Sequence, residues 1–586
     1  MSASFESELQ RRLAAERVRL EAVHGIQAPV HFHRPVERPF TADERDHVTI
    51  LFGGLTWKHE ELLRAVFDGA GYRCDVVPAP DAAAYQIGRE HGNVGQCNPT
   101  YFTVGSLIQY LRQLERDGLS REDIIDRYVF FTAGTCGPCR FGMYEAEYRF
   151  ALQNAGFDGF RVLLFQQDDG VKAQTGQPGL AFSVDFGMGA LNAFNLADVI
   201  HQLGYQIRPY EAHAGDTDRV CRDVVARLAR MLRERPMFEL LATVPRWMTR
   251  PLEHHLRFHD TLNTIGKIRE HLYGSSVRDA VADARAEMAT IEVDRLRVKP
   301  IVKITGEFWA QTTESAGNFR IFEFLESEGA ELLVDPIGSW VMYLLFQGRL
   351  EAKARRGLDL PSATRWRHPL RHAASDVRYH ARRLLFATGE RIWTRQYNRI
   401  ATALGGLAHR LPSQDELARL AAPFYNPLAR GGEGHLEIGK TLYHTRHHHC
   451  HMVLSLKPFG CLPSTQSDGA QSAVVSRFPD ILFLPLETAG DGEIHARSRV
   501  QMVLADAKAR ARHEFEDALD ATGRPLQEIR SYVVDHPALC HPLYAVPPHP
   551  GVAGTAANFV LHVGALMNRR GRTREPLVSC HVEGSS

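Results

Sequence analysis

The chain has 586 residues, with 69 Lys plus Arg against 69 Asp plus Glu. That length exceeds one ordinary core and suggests two or three domains, and the balanced charge argues against a global basic field for nucleic acid or an anionic membrane surface. No apolar run reaches the roughly 18–20 residues of a membrane span. In chain order, residues 3 to about 24 have helical spacing and charge, and Pro29, Pro35 and Pro39 then make an extended linker. His47 to Phe52 reads as a strand ending in Gly53-Gly54, followed by a helix around Glu60 to Asp68 and a strand from Cys74 to Val77. Phe102 to Glu115 reads as a helix, Arg127 to Thr132 as a strand, Met143 to Ala155 as a helix and Phe160 to Phe165 as a strand.

From Arg219 to about Met288 helical periodicity and basic residues dominate, interrupted at Pro236, Pro245 and Pro251. A second strand–helix series starts with Pro300 to Gly306, a helix from Phe319 to Glu328 and a short strand E-L-L-V-D, and resumes with strands at Met452 to Leu456 and Ile481 to Leu486. Strands alternating with helices of this length predict parallel sheets covered on both faces. The expected class is α/β, two Rossmann-like parallel-sheet lobes with helical insertions. The expected divisions are a helix and linker over 1–45, a first lobe over 46–215, a helical region over 216–297, a second lobe over 298–349 and 413–510, a basic helical insertion over 350–412, and a C-terminal extension over 511–586. The charge of that insertion reads as a solvated face.

The N-terminus M-S-A-S-F-E-S-E-L-Q-R-R-L is charged and lacks the apolar core of a secretory signal, so a cytoplasmic protein is expected. In that reducing setting nine cysteines read as free thiols or metal ligands. Four of them occupy turns rich in glycine and proline: Cys97 in G-Q-C-N-P-T, Cys136 and Cys139 in G-T-C-G-P-C, and Cys461 in P-F-G-C-L-P. The last two turns follow apolar runs that read as strands, where a parallel sheet places its chemistry. Thiolates suit zinc or iron–sulfur clusters, and one C-x-x-C with two distant cysteines can wrap a cluster between two lobes. Phe131, Phe141, Tyr101 and Phe102 would wall such a site. A redox dithiol of Cys136 and Cys139 leaves Cys97 and Cys461 without a role, and a four-thiolate zinc site usually draws on two C-x-x-C knuckles. Plain burial suits Cys74, Cys221, Cys540 and Cys580 better than the turn cysteines.

Several of these motifs together carry a resemblance. G-N-V-G-Q-C-N-P-T-Y-F-T-V-G-S-L, F-F-T-A-G-T-C-G-P-C-R-F-G-M-Y, G-E-F-W, E-I-G-K, P-F-G-C-L-P and S-R-F-P-D-I-L-F-L-P-L-E resemble the iron–sulfur half of the 2-hydroxyacyl-CoA dehydratase and CoA-substrate activase superfamily, over about residues 45–210 and 298–510. The resemblance is strongest to the cysteine-bearing portion of the large fused activase-type members. It implies Rossmann-like lobes around a cubane-type cluster, [4Fe–4S] or larger, held by Cys97, Cys136 and Cys461, with Cys139 a further thiolate. It also implies electrons from an ATP-hydrolysing iron–sulfur activator, acting in trans because the chain lacks the nucleotide-binding halves of the fused activases. The implied substrate is a small molecule, a CoA thioester in the dehydratase members, whose one-electron reduction weakens the bond to the leaving hydroxyl. If all four thiolates bind one cluster, the protein relays electrons only; if one stays free, an iron is open to substrate.

Other motifs have two readings each. Gly434 to Thr441, G-H-L-E-I-G-K-T, formally matches a P-loop and makes an NTPase the second alternative. Loop residues rather than a strand precede it, which favours a helix start near Gly439 with Lys440 meeting a phosphate or carboxylate of a ligand. In Y-H-T-R-H-H-H-C-H, His444, His448 and His451 would share one helical face, as metal ligands or as an ordinary surface or core segment. Glu307, after the strand P-I-V-K-I-T-G, is a candidate acid or base or else a helix cap. Arg140 beside Cys139 is a candidate for balancing cluster charge or binding an anionic substrate, against an ordinary salt bridge. No nucleic acid or membrane partner is expected, and assembly into a homo-oligomer is left open.

Overall fold

Eight short runs, most of them rich in β-branched and aromatic residues, pair into two all-parallel, four-stranded sheets. The computed structural model describes residues 37–134, 139–166, 179–180, 183–235, 256–356, 358, 369–429 and 431–572, with scattered residues between 8 and 23. The chain divides into Met1–Arg38 and Pro39–Ser586; the predicted N-terminal helix and linker lie mostly outside the described residues, as do Cys136, Pro236, Pro245, Pro251 and Cys580.

In the first lobe β1 (Thr49–Phe52), β2 (Arg73–Val76), β3 (Tyr128–Gly134) and β4 (Arg161–Gln166) lie in the order β2-β1-β3-β4. In the second, β5 (Ile301–Gly306), β6 (Glu331–Leu333), β7 (Met452–Pro458) and β8 (Phe483–Thr488) repeat that order as β6-β5-β7-β8. Each sheet is therefore wound outward from its central pair, as the expected α/β class requires. Every residue of β5 and β7 is buried, which is what helices on both faces of a parallel sheet impose.

The helical segments are less separate than the sequence suggests. The helix Val184–Ile207 is apolar over most of its surface, and Leu196, Val199, Ile200 and Leu203 are fully buried. One core joins it to Asp216–Glu234, to Ser275–Met288 and to Tyr397, Ile400 and Leu404. The basic insertion is thus only half a solvated face: in Pro369–Ala403 the first turns are exposed, while Gln396, Tyr397, Ile400 and Ala401 are buried. Two expected boundaries fall inside helices, residue 349 within Ile337–Ala354 and residue 510 within the 30-residue helix Glu493–Thr522. Asp198 ties the lobes together. Its carboxylate accepts the N–H groups of Ile337 and Gly338 at 2.7 and 2.8 Å and meets His59 Nε2 at 3.0 Å, satisfying donors at a helix start that would otherwise be buried and unpaired. Among the described helices none is long and apolar enough to cross a membrane.

Candidate functional site

An outward-wound sheet has a crevice at the carboxyl ends of its central strands, where the two crossovers diverge. Here both crevices carry chemistry. Gly53-Gly54 and Cys139 follow β1 and β3, Glu307 and Cys461 follow β5 and β7, and all of them line one cavity of about 810 Å³, together with Cys97 and Glu433.

Three cysteines reach it in the same way. Cys97 caps the helix Asn98–Arg116, Cys139 precedes the 3₁₀ turn Arg140–Met143 that leads into Tyr144–Asn154, and Cys461 caps Leu462–Arg477. A residue just before a helix has extended backbone, and the first amide groups behind it are unpaired and electropositive, a setting that favours a thiolate. Prolines at the helix starts after Cys97 and Cys461 fix those entries. The two loops touch: Asn98 N–H donates to the Phe459 carbonyl at 3.1 Å, and Asn98 Nδ2 to the Thr488 carbonyl at 2.6 Å. Gly460 has φ of 76°, and a side chain there would stand 3.4 Å from Cys97 Cα and 3.2 Å from the Arg140 guanidinium. Only glycine allows that approach at no steric cost.

Burial pushes the Cys139 and Cys461 thiols up to about 12, with the charge of Glu307 adding to the effect at both. Cys97 Sγ lies 3.2 Å from Tyr144 Oη and 3.3 Å from Thr100 Oγ1. Arg140 lines the cavity beside Cys139, and its guanidinium donates to the Gly460 carbonyl, fastening the Cys139 turn to the Cys461 turn. Glu307 fulfils its capping reading, accepting the Ala310 N–H at 2.9 Å, and it also faces the cavity, where burial raises its carboxyl.

Glu433 escaped sequence reasoning. It is 6% exposed, and burial raises its carboxyl to about 8 against the pull of Lys440. Its loop, Gly431-Gly432-Glu433-Gly434, has three glycines at positive φ. A side chain on Gly432 would meet Pro463 Cβ at 2.4 Å, so this loop sits against the helix that Cys461 starts. The only signal in the sequence was the glycine bracket around a single acid. Of the expected walls, Phe131 and Phe141 line the cavity, whereas Tyr101 and Phe102 pack with Tyr85 and Trp309 in an aromatic cluster beside it.

The phosphate-loop reading of Gly434–Thr441 does not survive. Leu436–Arg446 is a helix, so Gly439, Lys440 and Thr441 carry helical backbone rather than a cradle of free amides. Lys440 is buried, with Nζ 2.9 Å from Asp335. Asp335 also holds Lys303 at 2.6 Å, and Lys303 is wholly buried. Burial works against the Asp335 carboxylate, but the two ammoniums outweigh it and hold the group well below the usual range. The histidines do not form one helical face: the helix stops at Arg446, and His448 is left-handed at φ 52°. His444 turns inward, 3.8 Å from Asp335, with Nδ1 3.3 Å from His449 Nδ1. His451 instead accepts the Ile301 N–H at 2.9 Å and meets Glu514 at 3.2 Å.

Among the described residues no three His, Cys, Asp or Glu side chains stand close enough to hold a single metal ion, and the seven described cysteines are free. The donor set nevertheless suits a multi-iron cluster, which joins thiolates that do not touch one another: three thiols from two lobes line one cavity. No family model, curated protein or solved structure matches the chain.

Proposed function

We propose that this chain is the cluster-holding component of a low-potential iron–sulfur reductase or dehydratase, working in the cytoplasm with an ATP-hydrolysing activator in trans, as its resemblance to the 2-hydroxyacyl-CoA dehydratase superfamily implies. The observation that carries the reading is the convergence of Cys97, Cys139 and Cys461, each just ahead of a helix or turn, on one cavity with Glu307 and Glu433. Cys136 is the fourth thiol the motif offers. A cluster bound there supplies one-electron transfer.

The chain's own residues supply the rest. Glu433, raised by burial to about 8, holds its proton at neutral pH inside the cavity, the state a proton donor to a departing hydroxyl or a reduced carbon requires, and burial moves the Glu307 carboxyl in the same direction. Arg140 positions the Cys139 and Cys461 turns through the Gly460 carbonyl. Aromatic side chains make up much of the wall, and an apolar surround strengthens the electrostatic effect of each charged group.

Anaerobic preparation with iron and sulfide analysis and an electron paramagnetic resonance spectrum tests the reading. Iron and acid-labile sulfide near four per chain, lost in Cys97→Ser and Cys461→Ser and kept in Cys221→Ser, is the expected result, since Cys221 is buried in the helical core. Colourless protein with one zinc, or iron unaffected by the cavity substitutions, overturns it.

A further inference from the structure

The cavity's wall combines a charged, thiol-bearing part with a cluster of phenylalanines. Among its described lining residues the charged side chains are Arg140, Glu307, Glu433 and Glu437, all belonging to the loops and helix starts around the thiols or to the neighbouring helix Leu436–Arg446. Another part of the wall is a cluster of rings: Phe67 lies 4.9 Å from Phe186, 5.8 Å from Phe52 and 6.0 Å from Phe131, and Phe131 lies 6.3 Å from Phe165, centroid to centroid. All five line the cavity. They come from the ends of β1, β3 and β4, from the helix Trp57–Gly69 and from the first turn of Val184–Ile207.

A space of about 810 Å³ lies in the range that encloses a drug-sized organic ligand, and an inorganic cluster does not need five phenylalanines. Polyanions are disfavoured: Arg140 is the single cation among the described lining residues, and its guanidinium is engaged by the Gly460 carbonyl. We propose that the phenylalanine cluster binds the uncharged, extended apolar tail of the substrate, with its oxygen-bearing head toward Cys97, Cys139, Cys461 and Glu433. The substrate class is then a long-chain carbonyl or hydroxyl compound rather than a small polar hydroxy acid. Which end reacts rests on the function proposed above; tail binding does not.

The helix Val184–Ile207 provides the probe. Gly187 lines the cavity, and a Cβ built there meets nothing within 4 Å, so a side chain at Gly187→Phe can leave the backbone without a clash, and the change improves the helix propensity of the site. Ala190, one turn further along and also in the wall, gives a second variant, Ala190→Phe. The full chain, as isolated, is titrated with the neutral fluorophore N-phenyl-1-naphthylamine, which brightens in apolar surroundings, and straight-chain alcohols from butanol to decanol compete for it. The expected result is saturable binding, competitor affinity rising about fourfold per added methylene, and at least tenfold weaker probe binding in either variant with unchanged circular dichroism. Absence of saturable binding, chain-length independence, or full retention of binding in both variants overturns the proposal. Loss of iron content leaves these readouts in place, so failure of the cluster and failure of the tail pocket are told apart.

Discussion

Replacing Glu433 by glutamine should make the protein more stable at pH 8 than the wild type while leaving the two similarly placed at pH 5. Burial raises this carboxyl from its ordinary 4.5 to about 8, against Lys440, which favours the charged form. Glu307, Glu437 and Asp335 add weaker repulsion. In the unfolded chain the group ionises near 4.5. Between these limits the unfolded state releases a proton that the folded state keeps, so wild-type stability falls as pH rises. The slope is about 1.4 kcal/mol per pH unit, and the window from 4.5 to 8 corresponds to roughly 4–5 kcal/mol. Glutamine has no proton to retain, and its side chain has nearly the same shape. Paired urea unfolding curves at intervals from pH 5 to 9, read as variant minus wild type, isolate this one titration. Other raised carboxyls, such as Glu60 at about 8 and Glu326 at about 7, titrate in both proteins and cancel. A gap that stays constant across the range would mean that Glu433 is already ionised at neutrality, and it could then not serve as the cavity's proton donor.

Asp335→Asn should destabilise the chain by about 3–5 kcal/mol in the same unfolding assay, because it leaves the buried ammoniums of Lys303 and Lys440 without their counter-charge; a loss under about 1 kcal/mol contradicts a structural role for the cluster. Lys440→Ala should lower the unfolding midpoint with no change in nucleotide affinity by calorimetry, since the lysine lies within a helix and holds Asp335. A saturable ATP site lost on that substitution would restore the phosphate-loop reading. Gly460→Ala should cost about 1–2 kcal/mol for its left-handed backbone and also reduce iron loading under anaerobic reconstitution, because the new methyl presses on Cys97 and Arg140. Full iron content with normal stability would show that the two cysteine turns need not approach so closely.

The sheets were legible because the strands are short, mostly apolar and bounded by nearby glycine or proline. All eight expected runs are strands, and the placing of Cys139, Glu307 and Cys461 at strand ends followed from them. Helices were less legible where burial is nearly complete. Val184–Ile207 carries Asn192, Asn195, Asp198 and His201 inside a core, so no polar stripe marks its period. Ile337–Ala354 was cut near where it leaves the core, its last buried residue being Gln347, whereas Glu493–Thr522 keeps a buried stripe from Ala496 to Ala518 across the expected boundary. The histidine run misled through periodicity alone. Spacing assigned His448 to a helical face, but the chain turns at His447 and His448 to enter β7.

At the site, the thiols were legible and the acid was not, and the difference is physical. Cysteine in a glycine- and proline-rich turn after an apolar strand is informative at short range, because local backbone geometry sets its direction. A carboxyl's proton affinity is set by what surrounds it in space. Glu433 and Glu437 lie four residues apart in the same stretch of chain, yet the first is raised by burial, while the second is held by Ser455 at 2.6 Å and Lys457 at 3.2 Å from another strand. Only the fold separates the acid that keeps its proton from the one paired with a lysine. The same holds for the phenylalanine cluster: residues at 52, 67, 131, 165 and 186 share no spacing, and each alone reads as ordinary core. Their convergence on the cavity that the thiols line is what the chain-length dependence of ligand binding would read, as the pH profile reads Glu433.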